Sequence, residues 1–422
     1  MHVEATAVDF DAIVVADSPL ARVRVAGLTA RERAVRVARR VGARSIHVIG
    51  APEDREKLAG WRGRAVLVVR ADQLVHTGLV QPLIEAMATA MAVEDLTGPY
   101  AGAFLAVGDD AATAVEALAR GTADADIASR FATKVPHGAI ARAPIGTPEE
   151  RRAAHRLLYR ILIKPQDNAI TRYLYRPVSF PLTRLLVWTP ITPNQISYLV
   201  AALVAVGCWV TAHASMTMAL LGTIIVLAAS YLDCCDGEVA RVKLLSSRFG
   251  AWIDTVVDEL SSVGYMVAIG WHCHLAFGPR YFGDLGFDPW KAAIAISVVT
   301  FLWSIYCIYY NIIVAVGSAN SQDYVGRFQV VTTGPNTVRL APAAPKAIVA
   351  KGWLATYAPY IVRRDFISWA AVALAALHWT HVAFGALVAG GLVTFVIVTV
   401  DHVKLRTLRR SLVRRGLVLQ SP

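Results

Sequence analysis

The chain has 422 residues, 55% of them hydrophobic, with a mean hydropathy of +0.47 and a formal net charge of +11. A positive mean over this length excludes a single water-soluble core and predicts several membrane spans. The basic excess flanks apolar segments rather than a nucleic-acid motif, which argues against nucleic acid and for anionic lipid and cytoplasmic loops. The five cysteines, Cys208, Cys234, Cys235, Cys273 and Cys307, lie in or near apolar segments and make neither a disulfide framework nor a metal-ligand spacing.

Residues 1–150 read as a soluble α/β domain. No basic stretch followed by an apolar run opens it, so no signal peptide is expected. Strand-like runs at 12–15, 45–49, 65–69 and 103–107 alternate with helical stretches at 30–40 and 79–91. That rhythm predicts a Rossmann-like layer with a mostly parallel sheet. Val25-Ala26-Gly27, followed by Glu32-Arg33-Ala34 and the run from Gly42 to Val48, resembles the first βαβ unit of the sugar-phosphate nucleotidyltransferases. Val68-Val69-Arg70-Ala71-Asp72 resembles their strand ending in a metal-binding aspartate. That family cradles nucleotide phosphates in a glycine-rich loop with a basic residue. Here the loop is Ala16-Asp17-Ser18-Pro19-Leu20-Ala21-Arg22, without glycine; Pro19 removes a backbone donor and Asp17 repels phosphate. The domain is expected to be a degenerate, inactive relative with a structural, regulatory or docking use, leaving Asp72 and Arg22 for any residual site.

Residues 151–192 form a linker and juxtamembrane segment. Thr147-Pro148-Glu149-Glu150 is a capped helix start leading into a basic amphipathic run over 151–164. Arg172, Arg176 and Arg184, with Tyr173, Tyr175 and Trp188, predict a helix lying in the membrane interface. Those arginines fit attraction to anionic lipid better than orientation of a substrate phosphate. Asn194 either caps the first span or approaches a nucleotide, the cap being favoured.

Residues 193–405 are expected to be an all-α membrane domain with six spans, at 194–213, 217–236, 249–271, 289–316, 362–379 and 382–400, the fifth short of the usual ~20 residues. A basic tail follows at 406–422. One side collects Arg241, Lys243, Arg248, Arg327, Arg339, Lys346, Lys351, Arg363 and Arg364, whereas the other has Arg280 and Lys291. The positive-inside rule then puts both termini and the 233–258 region on the cytoplasmic face of the inner membrane. Arg363 and Arg364 serve either this topology or an anionic acceptor. His272-Cys273-His274 reads as a helix-end trio rather than a metal site. The stretch 317–360, with Pro335, Pro342, Pro345 and Pro359 and no strong periodicity, reads as a cytoplasmic loop or a cover for a site mouth.

The most informative stretch is 233–258. Asp233, Asp236, Gly237, Ala240 and Arg241 share one helical face, and Gly250, Asp254 and Asp258 recur every four residues on the next helix. A single aspartate near a helix end often just snorkels. Each of four would cost about 2.5–3.5 kcal/mol deep in the bilayer, and like charges raise one another's pKa, so facing stripes need cations. All-oxygen ligands suggest two divalent ions, Mg²⁺, Mn²⁺ or Ca²⁺, and a two-metal site suits phosphoryl transfer. The small residues let a bulky ligand or a second helix approach the backbone.

The pattern D-x2-D-G-x2-A-R-x8-G-x3-D-x3-D resembles the signature of the CDP-alcohol phosphotransferases, integral membrane enzymes of phospholipid synthesis, at all eight fixed positions. The resemblance implies that Asp233, Asp236, Asp254 and Asp258 hold two divalent metals and that Asp258 is the general base. It also implies that Gly237, Ala240, Arg241 and Gly250 border the cytidine diphosphate, with Asp233 touching the nucleotide as well. The implied reaction is attack of an alcohol hydroxyl on the β-phosphorus of a CDP-linked donor, expected to be CDP-diacylglycerol, with release of CMP. The acceptor would be an alcohol such as inositol phosphate or glycerol phosphate. Pairing of the two domains resembles bifunctional fusions that make CDP-inositol and then an inositol phosphodiester, which keeps CDP-inositol as an alternative donor. A dimer is common in the family. A membrane scaffold or a divalent-cation transporter is the reading from another class; neither needs Arg241 and Gly250.

Overall fold

The computed structural model describes residues 9–163, 169–278, 285–317, 323–343 and 364–420. Two compact units divide the chain. The first comprises Met1–Gln166, Pro181–Thr192 and Gly237–Ser246, and the second Asp167–Phe180, Pro193–Asp236 and Ser247–Pro422.

In the first unit, β1 (Asp11–Val15) leads to α1 (Ala30–Arg40), β2 (Ile46–Ile49), β3 (Ala65–Arg70), α2 (Thr77–Ala86), β4 (Ala90–Val93), β5 (Tyr100–Val107), α3 (Asp109–Ala119), α4 (Asp124–Ala128), β6 (Lys134–Pro136) and α5 (Pro148–Arg160). The six-stranded sheet has the order β2-β1-β3-β5-β4-β6. β1 runs parallel to β2 and β3, and β4 to β6, while β5 is antiparallel to both neighbours. The expected mostly parallel sheet is therefore present. Helices cover both of its faces, which explains why β1 and β3 read as unbroken apolar runs. Ala12, Val14, Leu67 and Val69 pack with α1 and α2, whereas Ile13, Val15, Val66 and Val68 pack with α3.

Local chemistry sets the helix ends. Thr29 accepts from the Glu32 amide at 3.1 Å and Glu32 accepts from the Thr29 amide at 2.9 Å, a reciprocal cap on α1. Thr147 and Glu150 make the same device on α5, as expected, and Ala154 and Leu158 of that helix are buried. The helix expected over 79–91 stops at Ala86. Met87 turns left-handed and Ala90–Val93 becomes a fully buried strand. A short apolar run there suits either element, so periodicity alone misassigned it.

The second unit is helical. After α6 (Arg176–Leu186) come α7 (Pro193–Thr211), α8 (Met216–Val242), α9 (Arg248–Phe277), α10 (Pro289–Asn311), α11 (Arg364–Ala376) and α12 (Thr380–Arg414). α6 and α8 each run from one unit into the other. Among the described residues, four helices are long and apolar enough to cross a membrane: α7, α8, α10 with its continuation to Val316, and α12. α9 has the length, at 30 residues, but carries Asp254, Asp258 and Glu259. α11 is short, and residues 362–363 of the expected fifth span lie outside the described residues.

Helix contacts follow small residues. A side chain on Gly207 would meet Val226 and Gly222 of the facing helix, and one on Gly222 would strike Thr211 and Gly207, so α7 and α8 cross backbone to backbone. A core of Tyr265, Met266, Ile269, Trp290 and Phe384 joins α9, α10 and α12. The stretch after α10 is not the featureless loop its composition suggested. β7 (Phe328–Gly334) and β8 (Thr337–Pro342) form an antiparallel hairpin, and β9 (Val418–Leu419) adds in parallel to β8. Val338 and Leu340 bury themselves against Leu405 and Leu412 of α12. Pro345, Lys346, Lys351, Pro359 and Arg363, together with Lys164 and Arg280, lie outside the described residues.

Candidate active site

α8 is a 27-residue helix whose apolar first two thirds end in Asp233 and Asp236. α9 begins at a Ser247 cap, whose Oγ accepts from the Gly250 amide at 2.9 Å, so Gly250, Asp254 and Asp258 fall on its first three turns. The two helices bring Asp233, Asp236 and Asp254 together, with one ligand oxygen of each within 4.8 Å of the others. Asp236 is buried, and the other two are half-buried. Asp258 is half-buried one turn further along α9, outside this trio. Gly237, Ala240 and Arg241 stand on the next two turns of α8, where a side chain on Gly237 would touch the Arg241 guanidinium.

Two neighbours lie outside the motif, Ser197 and the Asn194 already singled out as a cap or a nucleotide contact. Ser197, buried on the first turns of α7, donates from Oγ to Asp236 at 2.6 Å. Asn194 lies against Gly250, where a methyl would come within 2.9 Å of its Oδ1. Gly250 is therefore small because α7 starts against it. The only prior signal for Ser197 was its spacing of three from Asn194 at the head of an apolar run.

Three convergent carboxylates fit hard divalent cations, which prefer oxygen ligands. Thiolate and imidazole chemistry is not assembled among the described residues. His272 contacts the His213 carbonyl at 2.6 Å and the Thr380 hydroxyl at 3.0 Å, and His274 contacts Asp288 at 2.6 Å. The trio expected at the end of α9 thus takes protein partners.

The α/β domain presents a different picture at the strand ends where a nucleotide would be expected. After β1, Pro19–Arg22 forms a short 3-10 turn capped by Ser18, and Asp17 pairs with Arg55 at 3.4 Å. Asp72 is held by Arg70 at 2.6 and 3.1 Å. The same guanidinium reaches Asp124 at 3.3 Å, and the Tyr100 hydroxyl donates to Asp124 at 2.9 Å. Burial pushes the Asp124 carboxyl up, with Arg70 opposing, and burial beside Asp124 pushes the Tyr100 phenol well up. Arg22 is exposed.

Residues 190–387 match the family model described as CDP-alcohol phosphatidyltransferase. The similarity to that family of transferases is carried by these residues, a little under half of the chain. The chain is 36% identical over 129 residues to the bifunctional IPC transferase and DIPP synthase of Aquifex aeolicus, covering 30% of this chain and 29% of that protein. It is 34% identical over 102 residues to the archaetidylinositol phosphate synthase of Pyrococcus horikoshii, covering 22% of this chain and 50% of the relative. A putative cardiolipin synthase of Mycobacterium tuberculosis is 31% identical over 122 residues, covering 26% of this chain and 50% of the relative. The chain thus spans between about a quarter and a half of the length of the curated relatives it matches.

Proposed function

We propose that this protein is an integral membrane CDP-alcohol phosphotransferase, moving a substituted phosphate from a CDP-linked donor to an alcohol acceptor and releasing CMP. The observation that carries the reading is the convergence of Asp233, Asp236 and Asp254 within a domain of the matching family. In this reading α7 to α12 all cross the membrane, and the loop charges put both termini and the carboxylates on the cytoplasmic side. The stretch of arginine and glycine along α8 and α9 is what a scaffold or a cation transporter would lack a use for.

The four aspartates would hold two divalent cations, which when bound offset the carboxylate charge and stabilise negative charge on the diphosphate oxygens. Gly237, Ala240, Arg241 and Gly250 would border the cytidine diphosphate. Asp258 would accept the proton of the acceptor hydroxyl as its oxygen bonds to the β-phosphorus and the bond to CMP breaks. Ser197 would keep the Asp236 carboxylate turned toward the other two by its hydrogen bond.

CDP-diacylglycerol is the donor proposed first. CDP-inositol with inositol phosphate is the second reading, and the names of the relatives support either. Against the second stand the loop without glycine and the engagement of Asp72 by Arg70, which argue that the α/β domain makes no CDP-inositol itself.

The test is CMP release by the purified full chain in lipid nanodiscs with Mn²⁺, offering each donor with a panel of alcohols. Asp258→Asn is expected to lower kcat about 10²–10⁴-fold with donor KM little changed. A variant as fast as the wild type would remove the base assignment, and no turnover with any donor would remove the enzyme reading.

A further inference from the structure

The first unit gathers three stretches distant in sequence: the α/β domain, residues Pro181–Thr192, and Gly237–Ser246, which includes the C-terminal turns of α8. A row of cations ties them together. Arg33, Arg36 and Arg40 fall at i, i+3 and i+7, one face of α1. Arg33, fully buried, donates to the Val242 carbonyl at 2.9 Å and to the Val25 carbonyl at 3.3 Å. Arg36 donates to the Lys243 carbonyl at 2.8 Å, and Arg40 to the Ser246 carbonyl at 2.6 Å. Carbonyls at a helix C-terminus lack partners within the helix and lie at the negative end of its dipole, so guanidinium groups suit them.

Leu244 adds a second, independent observation. It takes a left-handed backbone, φ 55°, and the Leu245 amide returns to the Ala240 carbonyl at 2.8 Å, closing the helix. Glycine is the usual residue there. Leu244 instead packs its side chain against the core formed by β1, β3, α1 and α2. On the opposite flank Lys243 donates to the carbonyls of Thr189 at 2.6 Å and Ile191 at 3.1 Å. Gly27, at the tip of the hairpin joining Arg24–Val25 to Leu28–Thr29, lies so close to the Val187 carbonyl that a methyl there would strike it.

We infer that the α/β domain acts as a docking collar: the arginine row of α1 and the Leu244 plug fix the C-terminal end of α8. Asp236 lies about 9 Å back along the same helix from Val242, so the collar sets the axial position of the α8 carboxylates. The arginines are positioning residues, and their link to catalysis rests on the function proposed above.

The test compares the full chain in nanodiscs with Arg36→Glu/Arg40→Glu and with the charge-matched control Arg31→Glu/Arg39→Glu, which alters exposed arginines on the rest of α1. Hydrogen exchange is read over 239–246, and Mn²⁺ affinity by electron paramagnetic resonance. The first variant is expected to speed exchange in that segment about tenfold and to weaken Mn²⁺ binding, with β1 and β3 still protected and the control unchanged. Arg36→Lys/Arg40→Lys should restore both. Unchanged exchange in the first variant overturns the collar, as does an equal effect of the control. Faster exchange with unchanged Mn²⁺ affinity overturns the positioning role. A wild type that binds no Mn²⁺ removes the metal reading of the aspartates, and the exchange comparison still decides the collar.

Discussion

At the scale of single residues, the hydrogen bond from Ser197 to Asp236 is the contact that bears most directly on the proposed metal site. A buried carboxylate without its donor is both less well solvated and freer to turn. Supporting contacts of this kind change metal affinity by about 10–100-fold when removed. Ser197→Ala is therefore expected to weaken Mn²⁺ binding by about tenfold in a titration of the purified chain, while Ser197→Thr keeps the hydroxyl and most of the affinity. Equal affinities for all three would make the bond incidental. The aspartates themselves were readable because acids on an apolar helix are costly and their four-residue spacing puts them on one face. Ser197 was not, because a lone serine in an apolar run is ordinary in membrane helices, where its hydroxyl can bond back along its own backbone, as it does here to Pro193 at 3.3 Å.

Elements show the same division between what periodicity encodes and what only packing decides. α1 was legible at both ends, and α5 at its start, where Thr147-Pro148-Glu149-Glu150 marks the cap, although the basic run expected to 164 leaves the helix at Arg160. The boundary between α2 and β4 was not, since 79–93 is largely apolar on both sides of it and a left-handed Met87, rather than a glycine or proline, makes the break. The β7/β8 hairpin escaped for a related reason. Val330 and Val331 are adjacent and both exposed, so the period of two is lost, and the burial of Val338 and Leu340 depends on α12, far along the chain.

The junction of α1 with His76, which precedes α2, carries a pH dependence. Burial, with Arg33 and Arg40 nearby, holds the His76 imidazole down from the usual 6.5 to about 4. Between those values the unfolded chain takes up a proton that the folded one refuses, so stability falls as pH drops through this window. The full span corresponds to on the order of 3 kcal/mol. Denaturant titrations of the full chain between pH 7 and 4 are expected to show this loss in the α/β unit and a shallower one for His76→Gln. Parallel curves for the two proteins would refute the assignment.

For the whole molecule, two units are linked by continuous helices, and each disposes of its acids differently. Arg70, at the end of the interior strand β3, is a counter-ion built covalently into the α/β domain and shared by Asp72 and Asp124, so part of their charge is offset without any visitor from solution. The Asp233, Asp236 and Asp254 group, with carboxylate oxygens converging from two apolar helices, would in the proposed reading hold divalent cations drawn from solution. The two halves of one polypeptide should then answer differently to scarcity. Removing divalent ions with a chelator is expected to lower the thermal midpoint of the helical unit and leave that of the α/β unit in place, in a calorimetric scan that resolves both. With an internal cation serving one half and a borrowed one proposed for the other, the helical half would act as a gauge of the ionic supply of its compartment.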